Sequence, residues 1–179
     1  IAAGKPIETP GIVWKRMETI GQAGLPIHLS EITITSPGDD ARGREIQAVI
    51  ARNLYRLWFS LKPMTGITWW NVVVMCGDPS EPTFSGLFTR EMERKPSFHS
   101  LNKLINDEWK QSTVVRAEAG GVVKFRGFKG RYLMSWTDAA GNEQKQEVRL
   151  DGGDDGRGVR NQPSMCPSPR APVARALRP

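Results

Sequence analysis

The sequence predicts an α/β domain followed by a small antiparallel β appendage. Three observations carry this. Helical and strand-like periods alternate up to residue 111, in the order helix, strand, helix, strand, helix. Both strand-like runs are apolar along their length, as in strands of a parallel sheet covered by helices. Near Ser112 the pattern changes to short alternating runs divided by glycines, the mark of antiparallel strands.

The elements follow in order. Residues 9–23 predict a helix: Thr9 suits the N-cap, Pro10 the first helical position, and Gly24 the exit, with Val13, Met17 and Ile20 at helical spacing. Residues 26–34 predict a strand. The loop "SPGDDARG" leads into a helix over 41–60, whose apolar face holds Ile46, Val49, Ile50, Leu54, Leu57 and Trp58. "ITWWNVVVM", residues 67–75, predicts the second strand. "KPSFHSLNKLINDEWK" predicts a helix with Phe98, Leu101, Leu104 and Ile105 inward. Beyond it "TVVRAEA", "GVVKFRGF", "GRYLMSWTD" and "EQKQEVRL" read as strands, with Val123, Phe125, Tyr132, Met134 and Trp136 in alternation. From Asp151 onward Gly, Asp, Arg, Pro and Ala dominate, and 151–179 reads as a disordered tail.

Composition narrows the function. The net charge is +6, but basic residues are interleaved with acids, and the tail contributes five arginines against three aspartates. This is not the clustered basic face of a nucleic-acid binder. No run reaches the roughly 20 apolar residues of a membrane span, and no leader segment opens the chain. The two cysteines, Cys76 and Cys166, and two histidines, His28 and His99, have no metal-ligand spacing.

One residue breaks the pattern. In "GLPIHLSEITIT" (24–35), Glu31 ends a strand that otherwise reads as buried, where an unpaired charge is costly. Two readings stand on pattern alone. Glu31 is a strand-end carboxylate paired with an arginine, or it shares a face with Ile27 and Leu29 and points into the mouth of a (β/α) barrel, where catalytic groups sit.

"GLPIHLSEITI" resembles the nucleophile strand of the glycoside hydrolase family 10 endo-β-1,4-xylanases, typically Gly-Leu-Pro-Ile-His-Ile-Thr-Glu-Leu-Asp. "GITWWNVV" is similar to the next strand of that family, with its Thr-Phe-Trp-Gly. "SGLFTREMERKPSFHSLNKLI" is similar to the segment that closes the barrel, with its Lys-Pro-Ala-Tyr. The resemblance runs over roughly 9–110 and implies the C-terminal portion of a (β/α)8 TIM barrel. The domains then read as 1–111 partial barrel, 112–150 antiparallel β extension and 151–179 tail.

The resemblance implies a retaining glycosidase acting on xylan or a related β-1,4-linked polysaccharide, secreted or extracytoplasmic. Glu31 matches the nucleophile and Trp70 the tryptophan that walls the sugar site. No metal, organic cofactor, nucleic acid or membrane is implied. Trp69 and His28 fall on the faces opposite Trp70 and Glu31 and read as packing. Thr33 replaces the family's Asp, Asn71 its Gly, and the loop after the second strand lacks its Trp. A retaining mechanism needs two carboxyls about 5–5.5 Å apart, and the family's acid/base glutamate lies upstream of the nucleophile. Asn142-Glu143 copies its dipeptide but falls in the appendage. The chain thus reads as a fragment that is inactive alone. Rival readings are another barrel β-glycanase, and a non-catalytic carbohydrate-binding module presenting Phe128, Tyr132 and Trp136.

Overall fold

The computed structural model describes residues 8–76, 84–118, 121–138 and 140–150, with the backbone of two further strands at 159–160 and 173–177. The chain divides into two compact units, Ile1–Leu104 and Ile105–Pro179. Among the described residues no helix is long and apolar enough to cross a membrane.

The first unit follows the expected order. Helix α1 (Pro10–Gly21) starts where Thr9 accepts a hydrogen bond from the Ile12 amide at 3.4 Å. Gly24, at φ 71°, turns the chain into β1 (Ile27–Ile32). Only a residue tolerant of left-handed backbone serves there. Helix α2 (Ala41–Phe59) is capped by Asp40, which accepts from the Gly43 amide at 2.6 Å. Strand β2 (Met64–Trp69) pairs parallel with β1. Helix α3 (Pro96–Lys103) follows and passes into a π-helical turn at Leu104–Glu108.

Three expectations need correction. The second strand ends at Trp69, not at Met75. Asn71 and Met75 have φ of 60° and 56°, so the run cannot stay extended. Instead the Val72 carbonyl accepts from the Leu87 and Phe88 amides, and Val74 N donates to Phe88 O. The valines therefore hold a returning segment rather than a sheet neighbour. Gly86 permits this closeness: a Cβ there would lie 2.2 Å from Val74 N. On α2 the buried stripe is Gly43, Gln47, Ala48, Ala51, Tyr55 and Trp58, while Val49 is 58% exposed. The π-helical turn leaves Ile105 exposed instead of inward. The expected α/β order stands, as a two-stranded parallel sheet with three helices. A barrel wall is not seen among the described residues.

A buried polar network joins these parts. The Phe84 carbonyl accepts from Lys95 Nζ (3.0 Å), Gln47 Nε2 (3.2 Å) and Ser36 Oγ (3.4 Å). Lys95 is only 1% exposed, and among the described residues it has no ion pair. Burial pushes its ammonium from the usual 10.5 down to about 8, with Arg44 adding to the effect and Asp39 opposing it.

The second unit has its own core of Ala117, Val123, Tyr132 and Met134, packed by Val115, Phe125, Trp136, Val148 and Leu150. Its strands are β3 (Ser112–Arg116), β4 (Val122–Val123), β5 (Gly130–Thr137), β6 (Glu143–Leu150), β7 (Val159–Arg160) and β8 (Val173–Leu177). β5 and β6 form the expected hairpin, turned by Asp138, which accepts from the Ala140 and Asn142 amides. Tyr132 OH donates to Phe128 O at 2.9 Å and lies 3.1 Å from Gln111 Oε1. Gly127 lies under that hydroxyl, where a Cβ would come within 2.3 Å.

The tail expectation also needs correction for seven residues. β7 pairs with β4, and β8 lies between β3 and β5 in the four-stranded order β3-β8-β5-β6. Pairing on both sides, with β3 and β5, holds "VARAL" as a strand where overall composition suggested none. The remaining residues of 151–179, Cys166 among them, lie outside the described residues.

Two outcomes are expected. Unfolded Lys95 holds its proton up to about 10.5 and folded Lys95 only up to about 8, so the unfolded state binds more protons between those values. Stability must rise with pH across that window and level off above it. The gain is about 1–3 kcal/mol. Denaturant melts from pH 7.5 to 11 (roughly the span of the two pKa values) should show the rise, and Lys95→Met should flatten it. Truncation after Arg170 removes β8, the partner of β3 in the observed sheet. Amide exchange of β3 should then approach the unfolded rate, while the β5–β6 hairpin keeps most of its protection.

Candidate active site

Strand β1 does not run straight to Glu31. Leu29 pairs with Ile67 and Ile32 with Trp69, so three steps on β1 oppose two on β2. Ser30 and Glu31 form a bulge, a device that re-aims side chains. The burial along the strand agrees. Ile27 is buried, His28 exposed and Leu29 half-buried, then Ser30 and Glu31 are both exposed before Ile32 is half-buried again. Glu31 therefore does not continue the buried face of Ile27 and Leu29, as simple alternation predicts. The bulge carries the carboxylate into solvent, which removes the desolvation cost that the sequence pattern implied.

Strand β2 delivers its tryptophans to different environments. Trp69 is half-buried, its ring 6.4 Å from Tyr55 of α2. It is helix packing, as parity predicts. Trp70 is 44% exposed, and its amide donates to Ile32 O at 2.9 Å. The backbone contact places Trp70 beside the residue that follows Glu31. Both residues singled out in the sequence, the carboxylate and the indole, are thus exposed at the C-terminal ends of the two strands.

The other candidates sort by contact. His28 Nε2 lies 3.0 Å from Thr68 Oγ1 across the strands, over Gly66, where a Cβ would meet the imidazole at 2.8 Å. The ring is held as a cross-strand pair. His99 is exposed on α3, edge-on to Phe98. The groove between α2 and α3, lined by Glu45, Val49, Arg52, Pro96 and His99, contains neither Glu31 nor Trp70. In the second unit Tyr132 is fully buried and Trp136 is half-buried against the core, so of the expected aromatic strip Phe128 alone is exposed. Among the described residues no three His, Cys, Asp or Glu groups gather as for a metal.

Sequence reasoning missed three features. The bulge has no local signature. Gln47 does: it continues the stripe Gly43–Gln47–Ala51–Tyr55 at helical spacing, a polar residue in line with buried ones. Asn71 does as well, since asparagine tolerates left-handed backbone. Its Nδ2, like Trp69 Nε1, is buried without a partner among the described residues.

No family model matches the chain, and neither does any curated protein. Two of the solved structures similar to it are glycosidases. One is an intracellular xylanase from Thermoanaerobacterium saccharolyticum, in a mutant form complexed with xylotetraose, at 19% identity and a TM-score of 0.47 over 52% of this chain and 30% of that one. The other is a monomeric β-xylosidase from Caulobacter crescentus, at 13% identity and a TM-score of 0.37 over 98% of this chain and 51% of that one. The chain spans about half or less of either. At these scores neither likeness fixes the fold.

Asn71 yields a direct expectation. Glycine accepts φ near 60° more readily, and Asn71→Gly removes a buried donor that has no acceptor, a group that costs about 1–3 kcal/mol. Glycine's larger unfolded-state entropy offsets about 0.4–1 kcal/mol of this, so the variant should be more stable by about 1 kcal/mol in chemical denaturation. A loss of stability would mean that the amide has a role in holding the turn.

Proposed function

We propose that this chain carries the nucleophile end of a retaining endo-β-1,4-xylanase of glycoside hydrolase family 10. The observation that supports it best is the placement of Glu31 and Trp70. Both lie in runs that resemble the family's motifs, and both are exposed at the C-terminal ends of neighbouring parallel strands. In α/β sheets that end is where substrates are handled.

The chemistry follows from the groups. Trp70 presents an apolar ring on which a sugar can lie. Glu31, exposed in the bulge, supplies the nucleophilic carboxylate oxygen. It attacks the anomeric carbon, the bond to the leaving oxygen breaks, and a glycosyl ester forms. Water then hydrolyses the ester and restores the configuration. A second carboxyl must protonate the leaving oxygen and later deprotonate the water. In this reading it comes from a part of the barrel outside this chain. The parent substrate is xylan, and the parent enzyme is secreted or extracytoplasmic.

The two steps can be separated by the leaving group. A dinitrophenyl 2-fluoro-xylobioside needs no proton donor, and its fluorine slows hydrolysis of the ester. The chain should form a covalent adduct on the peptide containing Glu31, read by mass spectrometry, and Glu31→Gln should form none. Natural xylan should release no measurable reducing sugar, because general acid catalysis is typically worth about 10²–10⁴-fold. An adduct on another residue, or unchanged labelling of Glu31→Gln, would remove Glu31 from its role.

A further inference from the structure

Gln47 is fully buried in the middle of α2. Its Nε2 lies 2.7 Å from Ile34 O, 3.2 Å from Phe84 O and 3.1 Å from Ser85 O. Its Oε1 accepts from Ser97 Oγ at 3.2 Å, at the start of α3. One amide group thus touches three separate stretches of chain.

Those stretches are the ones that leave the candidate site. Ile34 lies three residues beyond Glu31. Phe84 and Ser85 open the returning segment whose Leu87 and Phe88 amides hold the Val72 carbonyl, two residues beyond Trp70. An amide has two N–H groups, and here they serve three carbonyls. Removing them leaves buried acceptors unpaired in both connections together. Lys95 and Ser36 support the Phe84 carbonyl alone. They do not reach Ser85, and Gln47 is the side chain that also reaches Ile34.

We propose that Gln47 is a positioning residue that sets the placement of Glu31 relative to Trp70 by tying together the connections behind them. It acts through the backbone and touches no substrate. Its catalytic consequence rests on the reading of Glu31 as nucleophile; the coupling of the two connections does not.

The test uses the full chain and two variants. Gln47→Met keeps the volume and removes both donors and the acceptor. Gln47→Glu keeps the shape and, when protonated, one donor. Native-state amide exchange is followed at two pairs, Ser36 and Trp70, whose amides donate to Phe84 O and Ile32 O, and Leu87 and Phe88, whose amides donate to Val72 O. Labelling of Glu31 by the dinitrophenyl 2-fluoro-xylobioside is followed against reagent concentration. In Gln47→Met both pairs of amides should exchange about tenfold faster or more, while the β5–β6 amides keep their rates. The saturating labelling rate should fall about tenfold, with a smaller change in half-saturating concentration. In Gln47→Glu the protection factors at both connections should rise relative to those of the parent chain as pH falls and the carboxyl regains its proton. Faster exchange in only one connection, or an equal acceleration through all of 8–104, would overturn the proposal. So would unchanged labelling per folded molecule. If the parent chain is not labelled at Glu31, the glycosidase reading fails, and the exchange data alone decide the coupling.

Discussion

The carbonyl of Phe84 is where the first unit is held together. A two-stranded sheet satisfies few of its own backbone groups, and the segments that leave it carry donors and acceptors into the interior. Each must find a partner or cost free energy. Side chains from α2 and from the approach to α3 supply them, through Gln47 and Lys95, and Ser36 adds a third. The apolar core around Tyr55, Trp58 and Leu101 then has a fixed frame to pack within. Polar groups set the geometry here, and apolar burial fills it. A buried lysine is an expensive way to satisfy a carbonyl, which is why its proton is loosely held.

The features legible in the sequence were those governed by period and composition. The order of elements through α3, the Thr9 cap, the Gly24 exit and the packing role of Trp69 all follow from spacing. The end of β2 did not. "NVVVM" has the composition of a strand, yet its valines accept and donate to a returning segment, and Asn71 and Met75 adopt left-handed backbone. That is a tertiary override of propensity. The bulge at Ser30–Glu31 is a property of two strands in register, so neither strand's sequence alone records it. It changes the account of Glu31: the carboxylate is exposed because alternation fails there.

In the second unit the alternation of Tyr132, Met134 and Trp136 marked one face correctly, and all three lie in or against the core. Its long-range pairing was not legible. β3 and β5 are close in sequence and are not neighbours in the sheet. The strand between them comes from a stretch whose arginines, prolines and glycines gave a disordered reading. Five residues, four of them apolar, were hidden by the average around them.

That placement sets an order of assembly. Ser112 opens the sheet's first strand, and its register partner is Leu177, far along the chain. As the chain is made from its N-terminus, β5 and β6 can close their hairpin early, because a single tight turn joins them. β3 must wait with an open edge until β8 has been made. Closing so long a loop is entropically slow. During that wait Val114 and Val115 present an unpaired apolar strand, so the stretch 112–116 is where a nascent or partly unfolded chain is most open to pairing with a neighbour.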